Sequence, residues 1–202
     1  MTPVTAALGV DTGLMNGFGR TVFIPTLGVV TVFVALGLGT ICAIQEFTDK
    51  TAHFLFTKPR SRKYFVWAGW AVGCAEYSAI VLANIFAGWL TLYHYGKGPF
   101  KLALIGEVKI QNIAAVFISG LVIFSLTYAF TAALRNGLKG LGASMGTLMI
   151  FQSVIVGVHL RWNVDLDQLV WKLSPTIRDV GWILLALLLV FATQLVIDRA
   201  EI

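Results

Sequence analysis

Charged residues are scarce in this sequence. Asp, Glu, Lys and Arg make up 12% of its 202 residues, whereas 57% of the residues are hydrophobic and the mean hydropathy is +0.82. A typical soluble domain carries about 25% charged residues. So few charges cannot cover a water-facing surface, which excludes a sizeable soluble domain. The sequence therefore predicts an all-α, polytopic helix bundle that forms a single transmembrane domain over residues 1–202.

Cysteine is rarer still, and histidine forms no cluster. Cys42 and Cys74 both lie inside apolar segments, so they make no disulfide framework and do not identify a redox compartment. His53, His94 and His159 stand singly, without a second histidine three or four residues away. This scatter argues against a metal or haem site, and we expect the chain to hold no cofactor.

Motifs for nucleotide binding and for acid–base chemistry are missing too. No Gly-x4-Gly-Lys-Ser/Thr stretch occurs, and the nearest variant, residues 137–142, lacks the Lys-Ser/Thr that would hold phosphate and magnesium. Asp165 and Asp167 stand two apart in a polar interval, which favours solvated loop charge over catalysis. The net charge of +5 comes from residues between apolar segments, so it does not indicate nucleic-acid binding. We expect no enzyme.

Five long apolar segments are what the sequence has in abundance. A helix of roughly 20 apolar residues crosses a hydrocarbon core of about 30 Å. The predicted spans are residues 21–45, 65–93, 112–134, 141–160 and 181–197. Near the ends of the second span lie Trp67, Trp70, Trp89 and Tyr93, as is typical of an aromatic belt at the lipid surface.

The distribution of Lys and Arg predicts the orientation in the membrane. Five spans place the two chain ends on opposite sides, with eight basic residues on one side and seven on the other. Five of the eight fall in the interval 46–64, close to two span ends, where basic residues most strongly favour the cytoplasm. The sequence therefore predicts a protein of the inner (plasma) membrane with this interval and the C-terminus in the cytoplasm and the N-terminus outside.

The interval 46–64 has the pattern of a short amphipathic helix over residues 46–58. Glu46 and Lys50 can pair at i, i+4, and Pro59 disfavours helix in the residue before it. The residues near its apolar face are Phe47, Phe54 and Leu55. Two interpretations stay open. The helix lies on the lipid surface, or it docks into a groove of a cytoplasmic partner.

The same interval carries a resemblance to a known family. An acidic residue at a span end, a Thr, an apolar triplet and Lys-Pro-x-Ser-Arg precede the second span, a pattern similar to the permeases of type-2 ABC transporters, the exporter-like class. The matching residues are Glu46, Thr51, Phe54, Leu55, Phe56, Lys58, Pro59, Ser61 and Arg62. Lys50 stands where the family usually has Gly, and Arg60 where it usually has an apolar residue. The family usually has six spans, one more than predicted here.

The resemblance implies a coupling helix that docks on a separate ATPase subunit. The docking residues would be Glu46, Thr51, Phe54, Leu55, Pro59, Arg60, Ser61 and Arg62. The working unit would contain two permeases, identical or not, and two ATPases, with ATP hydrolysis outside this chain. The alternative is an integral membrane protein without a transport function, such as an anchor or an assembly factor.

Glu76 is an acidic residue well inside the second span. A carboxylate at that depth costs about 2.5 kcal/mol or more unless it is paired or hydrated. One interpretation places it on a substrate pathway or at an interface. The other gives it an internal hydrogen bond, with Asn84, Gln152 and Gln194 as candidate partners.

Overall fold

The computed structural model describes residues 24–48, 61–95, 110–162 and 174–199. The helices in these segments are α1 (Ile24–Thr48), α2 (Ser61–Tyr95), α3 (Ile110–Leu134), α4 (Gly137–Trp162) and α5 (Pro175–Arg199). Each helix contains an apolar stretch long enough to cross a membrane, and no strand occurs in the described segments. The predicted all-α fold class is confirmed, and the five spans fit a multi-pass membrane protein.

The helix α3 lies at the centre of the bundle. It contacts each of the other four helices, most extensively α1 and α5. Phe124 and Tyr128 in its second half are completely buried, and they pack with Ala35 of α1, Tyr77 of α2 and Val190 of α5 in one core cluster. The core therefore runs along α3, and the other helices surround it.

Hydrogen bonds between α2 and α3 show how these helices run. The hydroxyl of Tyr128 donates to the carbonyl of Val66 at 3.1 Å, and that of Tyr77 donates to the carbonyl of Phe117 at 2.8 Å. Residue numbers rise along α2 as they fall along α3, so the two helices are antiparallel. This is the direction expected of consecutive membrane spans.

A very short connection joins α3 to α4. Arg135 has a φ of 49°, the left-handed conformation that commonly ends a helix. The side-chain oxygen of Asn136 accepts a hydrogen bond from the backbone N–H of Lys139 at 3.1 Å and so caps the start of α4. Gly140 then packs directly against Thr131, where a Cβ atom would overlap the threonine. The two helices are thus held closely together at this end.

The last helix begins ahead of the predicted apolar span 181–197. Ser174 caps it, because its hydroxyl accepts a hydrogen bond from the N–H of Ile177 at 3.3 Å, and a proline fills the first helical position. Arg178, in this first turn, forms an ion pair of 3.0 Å with Asp179, the residue that follows it. These polar residues explain why the predicted apolar span starts only at residue 181. The helix itself starts earlier, directly after the capping residue Ser174.

Buried hydroxyl groups are largely satisfied within their own helices. Ser125, Thr127, Ser144 and Thr193 each donate a hydrogen bond of 2.8–2.9 Å to the carbonyl four residues earlier. Such bonds let polar side chains sit in an apolar environment without a partner on another helix. The bundle can therefore bury these groups without water.

The contact between α1 and α3 depends on a glycine. A Cβ atom on Gly39 would lie 2.8 Å from the backbone carbonyl oxygen of Phe124 and 2.9 Å from Cβ of Thr127. Neither atom can move without shifting α3. We expect Gly39→Ala to lower the free energy of unfolding by about 1–2 kcal/mol, measured by denaturation in mixed micelles.

Gly37, two residues earlier on the same helix, is the matched control. A Cβ atom added to Gly37 would have no other atom within 4 Å, so Gly37→Ala meets no obstacle and gains about 1 kcal/mol of helix propensity at most. Equal destabilisation by the two substitutions would contradict the close approach of α1 and α3.

Candidate partner-docking site

The residues predicted to dock a partner fall where α1 ends and α2 begins. Glu46 belongs to the last turn of α1, and Ser61 and Arg62 form the first turn of α2. The segment between α1 and α2 is therefore shorter than the predicted interval 46–64, because both helices extend into that interval. The remaining predicted docking residues, Thr51, Phe54, Leu55, Pro59 and Arg60, lie outside the described residues, as does most of the predicted helix 46–58.

Other basic residues share this end of the bundle. The α3–α4 connection lies here because Gly137 packs against Ile44, near the end of α1. Arg135 and Lys139 in this connection and Arg199 near the end of α5 are exposed. This end of the bundle therefore also carries positive charge outside the predicted docking segment.

The first third of α2 is hydrogen-bonded to two neighbouring helices. The indole N–H of Trp67 donates to the side-chain oxygen of Gln194 on α5 at 2.9 Å, and that of Trp70 donates to the hydroxyl of Ser125 on α3 at 2.9 Å. The sequence predicted these two tryptophans to belong to an aromatic belt near the end of the span. Both are half-buried, and their indole N–H groups find acceptors on neighbouring helices, as is usual for tryptophans that are partly inside a protein.

A column of aromatic rings continues this contact along α3. The ring of Tyr77 lies 5.4 Å from that of Phe117 and 6.2 Å from that of Phe124, which lies 6.2 Å from the ring of Tyr128. Rings at these distances pack favourably. The column and the hydrogen bonds together join α2 firmly to α3, so a displacement of the start of α2 would be transmitted to the core.

Glu76 lies near the middle of the span Val66–Gly88, on the outer side of α2. Its carboxyl oxygen accepts a hydrogen bond from the thiol of Cys42 on α1, with a sulfur–oxygen distance of 3.6 Å. The sequence suggested three internal hydrogen-bond partners for Glu76, and two of them bond to other groups. The Asn84 amide donates to the carbonyl of Ile80, and Gln194 accepts from Trp67.

The outer face of α2 is lined by small residues. Ala71, Ala75, Ala79 and Ala83 recur at every fourth position and are all exposed. Small side chains at this spacing let another helix approach closely in a membrane. On the inner side of the same helix, Gly73 is buried, and a Cβ atom there would overlap the ring of Phe124.

Metal binding finds no support in the described residues, which contain no group of three or more His, Cys, Asp or Glu side chains able to hold an ion. Cys42 is buried and Cys74 is half-buried, and the two are not joined in a disulfide. His159 is exposed near the end of α4. Two features therefore remain as candidate sites. One is the polar junction of α1 and α2 at one end of the bundle, and the other is the exposed carboxyl group of Glu76 in the middle of its span.

Comparison with protein-family models, with curated proteins and with solved structures gives no match to the chain.

Proposed function

We propose that the chain is the membrane-spanning permease subunit of an ATP-driven exporter of the type-2 ABC class. The observation that carries this proposal is the Glu46–Arg62 segment, with its acidic start, apolar triplet and Lys-Pro-x-Ser-Arg end between two spans. It would dock on a separate ATPase subunit at the cytoplasmic face of the inner membrane. The lack of a phosphate-binding motif in this chain agrees with ATP hydrolysis on that partner.

The hydrogen bonds of α2 support a mechanical role for this segment. A movement of the segment after ATP binding would act on the first turn of α2. Trp67 and Trp70 lie one and two turns further along and are bonded to α5 and α3. The movement would therefore reach three helices at once and alter a path formed by two such permease subunits.

Co-purification from native membranes tests this function. We expect the intact chain to purify with a subunit that contains a phosphate-binding Gly-x4-Gly-Lys-Ser/Thr motif and hydrolyses ATP. The double variant Arg60→Glu/Arg62→Glu should reduce the recovered ATPase at least about tenfold, because it reverses two charges at the proposed contact.

The α3–α4 connection supplies a matched control. Arg135→Glu/Lys139→Glu changes the net charge by the same amount at the same end of the bundle, but outside the proposed docking segment. Recovery of the ATPase should stay within about twofold of the wild type, since charges outside a contact act mainly through long-range steering. The proposal fails if no ATPase subunit purifies with the chain, or if both double variants lose it equally.

A further inference from the structure

Two polar side chains near the middle of the membrane face outward from the bundle. Glu76 on α2 and Gln152 on α4 are both exposed and both lie well inside their spans. Glu76 has one hydrogen bond from a thiol, a weak donor, and the carboxamide of Gln152 has no hydrogen bond to any described residue. Polar groups that face hydrocarbon without strong partners are costly, so each calls for a partner outside the chain.

Contacts with α3 place the two side chains at a similar height along that helix. Hydrogen bonds pair Val66 with Tyr128 and Tyr77 with Phe117, which fixes the register of α2 on α3. The contact of Gly140 with Thr131 fixes the register of α4 on α3. Extended along the helices, these registers place Glu76 level with position 118 of α3 and Gln152 level with position 119. Neighbouring positions differ in height by about 1.5 Å.

Both helices border the same side of the bundle. The contact with Cys42 shows that Glu76 leans toward α1, and α1 also packs against α4. Phe33 and Ile41 of α1 are exposed. We call the surface formed by α2, α1 and α4 the α1 face. Its two outer helices carry the two polar groups, and α2 and α4 make too little contact with each other to bring these groups together within one chain.

We propose that a second copy of this chain packs on the α1 face, with α2 of one copy against α4 of the other. Glu76 of each copy then hydrogen-bonds Gln152 of the partner subunit. A two-fold axis generates this contact twice, because residue i meets j and residue j meets i. A carboxamide suits a carboxyl group in either protonation state, since it offers both N–H donors and a carbonyl acceptor.

Small residues on α2 leave room for such a contact. Ala75 and Ala79 are exposed beside Glu76. Helices in membranes associate through such close packing and through hydrogen bonds, not through the hydrophobic effect. The α4 span is also the least buried of the five, which leaves most of its surface available to a second copy.

Dimerisation of the purified chain in lipid vesicles tests the proposal. Energy transfer between donor-labelled and acceptor-labelled copies is measured as the protein is diluted in lipid. Glu76→Met and Gln152→Met should each weaken dimerisation about tenfold, the effect expected from losing two interhelical hydrogen bonds. The double variant should be little weaker than either single variant, because both remove the same contact.

Asn84→Leu is the control, because Asn84 is an exposed polar residue of the same helix that already bonds to its own backbone. It should leave dimerisation unchanged. A chain that stays monomeric at every lipid dilution would overturn the proposal. So would a dimer that tolerates both methionine substitutions, or one in which their effects simply add.

Cysteine cross-linking identifies the pairing within the dimer. In a Cys42→Ala/Cys74→Ala background, copies with Glu76→Cys should cross-link to copies with Gln152→Cys. Cross-linking of Glu76→Cys copies to one another, without the mixed product, would indicate contact between the two carboxyl positions and overturn the proposed pairing. The inference rests on the proposed pairing of two permeases, but its test contains no ATPase, so loss of dimerisation and loss of ATPase binding are separate results.

Discussion

Replacing Phe124 by alanine is expected to destabilise the protein by about 2–3 kcal/mol. Phe124 is completely buried at the centre of α3, between the rings of Tyr77 and Tyr128, and its ring fills the space above Gly73. The unfolded chain stays in lipid, so transfer from water contributes little. The loss comes from the cavity and from the missing ring contacts.

Unfolding in mixed micelles, followed by tryptophan fluorescence, measures this effect. Phe191→Ala is the matched control, because Phe191 on α5 is 51% exposed on the outside of the bundle. That substitution should change the free energy of unfolding by less than about 0.5 kcal/mol. A similar loss for both variants would show that Phe124 does not occupy the central position described.

A cysteine at position 61 should be labelled from one side of the membrane only. Ser61 is the first residue of α2, at the end of the bundle predicted to face the cytoplasm. In intact cells, an impermeant maleimide should label Ser61→Cys at least about tenfold less than after permeabilisation, because the hydrocarbon core excludes the charged reagent. The native thiols add little background, since both lie inside membrane spans.

A cysteine on the opposite side provides the control for this experiment. Lys97 follows the end of α2 in sequence, so Lys97→Cys should be labelled in intact cells. The reverse pattern, with Ser61→Cys labelled and Lys97→Cys protected, would place the proposed docking segment outside the cell. A cytoplasmic ATPase could then not reach it.

The five spans could be predicted from sequence because length and hydropathy alone determine whether a helix can cross a membrane. The helix ends were harder to predict. Ser174 and Asn136 cap the starts of α5 and α4, whereas the apolar spans predicted from hydropathy begin several residues later. The hydrogen bonds of Trp67 and Trp70 could not be predicted from sequence either, since their acceptors on α5 and α3 are distant in the chain.

The inner face of α2 nevertheless left a signal in the sequence. Val66, Trp70, Gly73, Tyr77 and Val81 recur at intervals of three or four residues, and four of the five positions are buried. Such a stripe predicts the side of a helix that packs against protein. It also predicts that Glu76, one position before Tyr77, lies off that side. The partner of an outward-facing group cannot be read from one chain, because it belongs to another molecule.

The hydroxyl groups inside the bundle have a chemical consequence for any solute that enters it. Ser125, Thr127, Ser144 and Thr193 each use their single hydrogen on a carbonyl of their own helix. What remains on each oxygen is lone-pair electrons. Between the helices these groups can therefore accept hydrogen bonds but cannot donate them. Ser125 already accepts from the indole N–H of Trp70 in this way. The buried hydroxyls of Thr31 and Thr131 differ, because they have no hydrogen-bond partner among the described residues and keep an O–H to donate. A solute between the helices would therefore meet donors only at these two of the six buried serine and threonine hydroxyls in the described segments, and acceptors at the others.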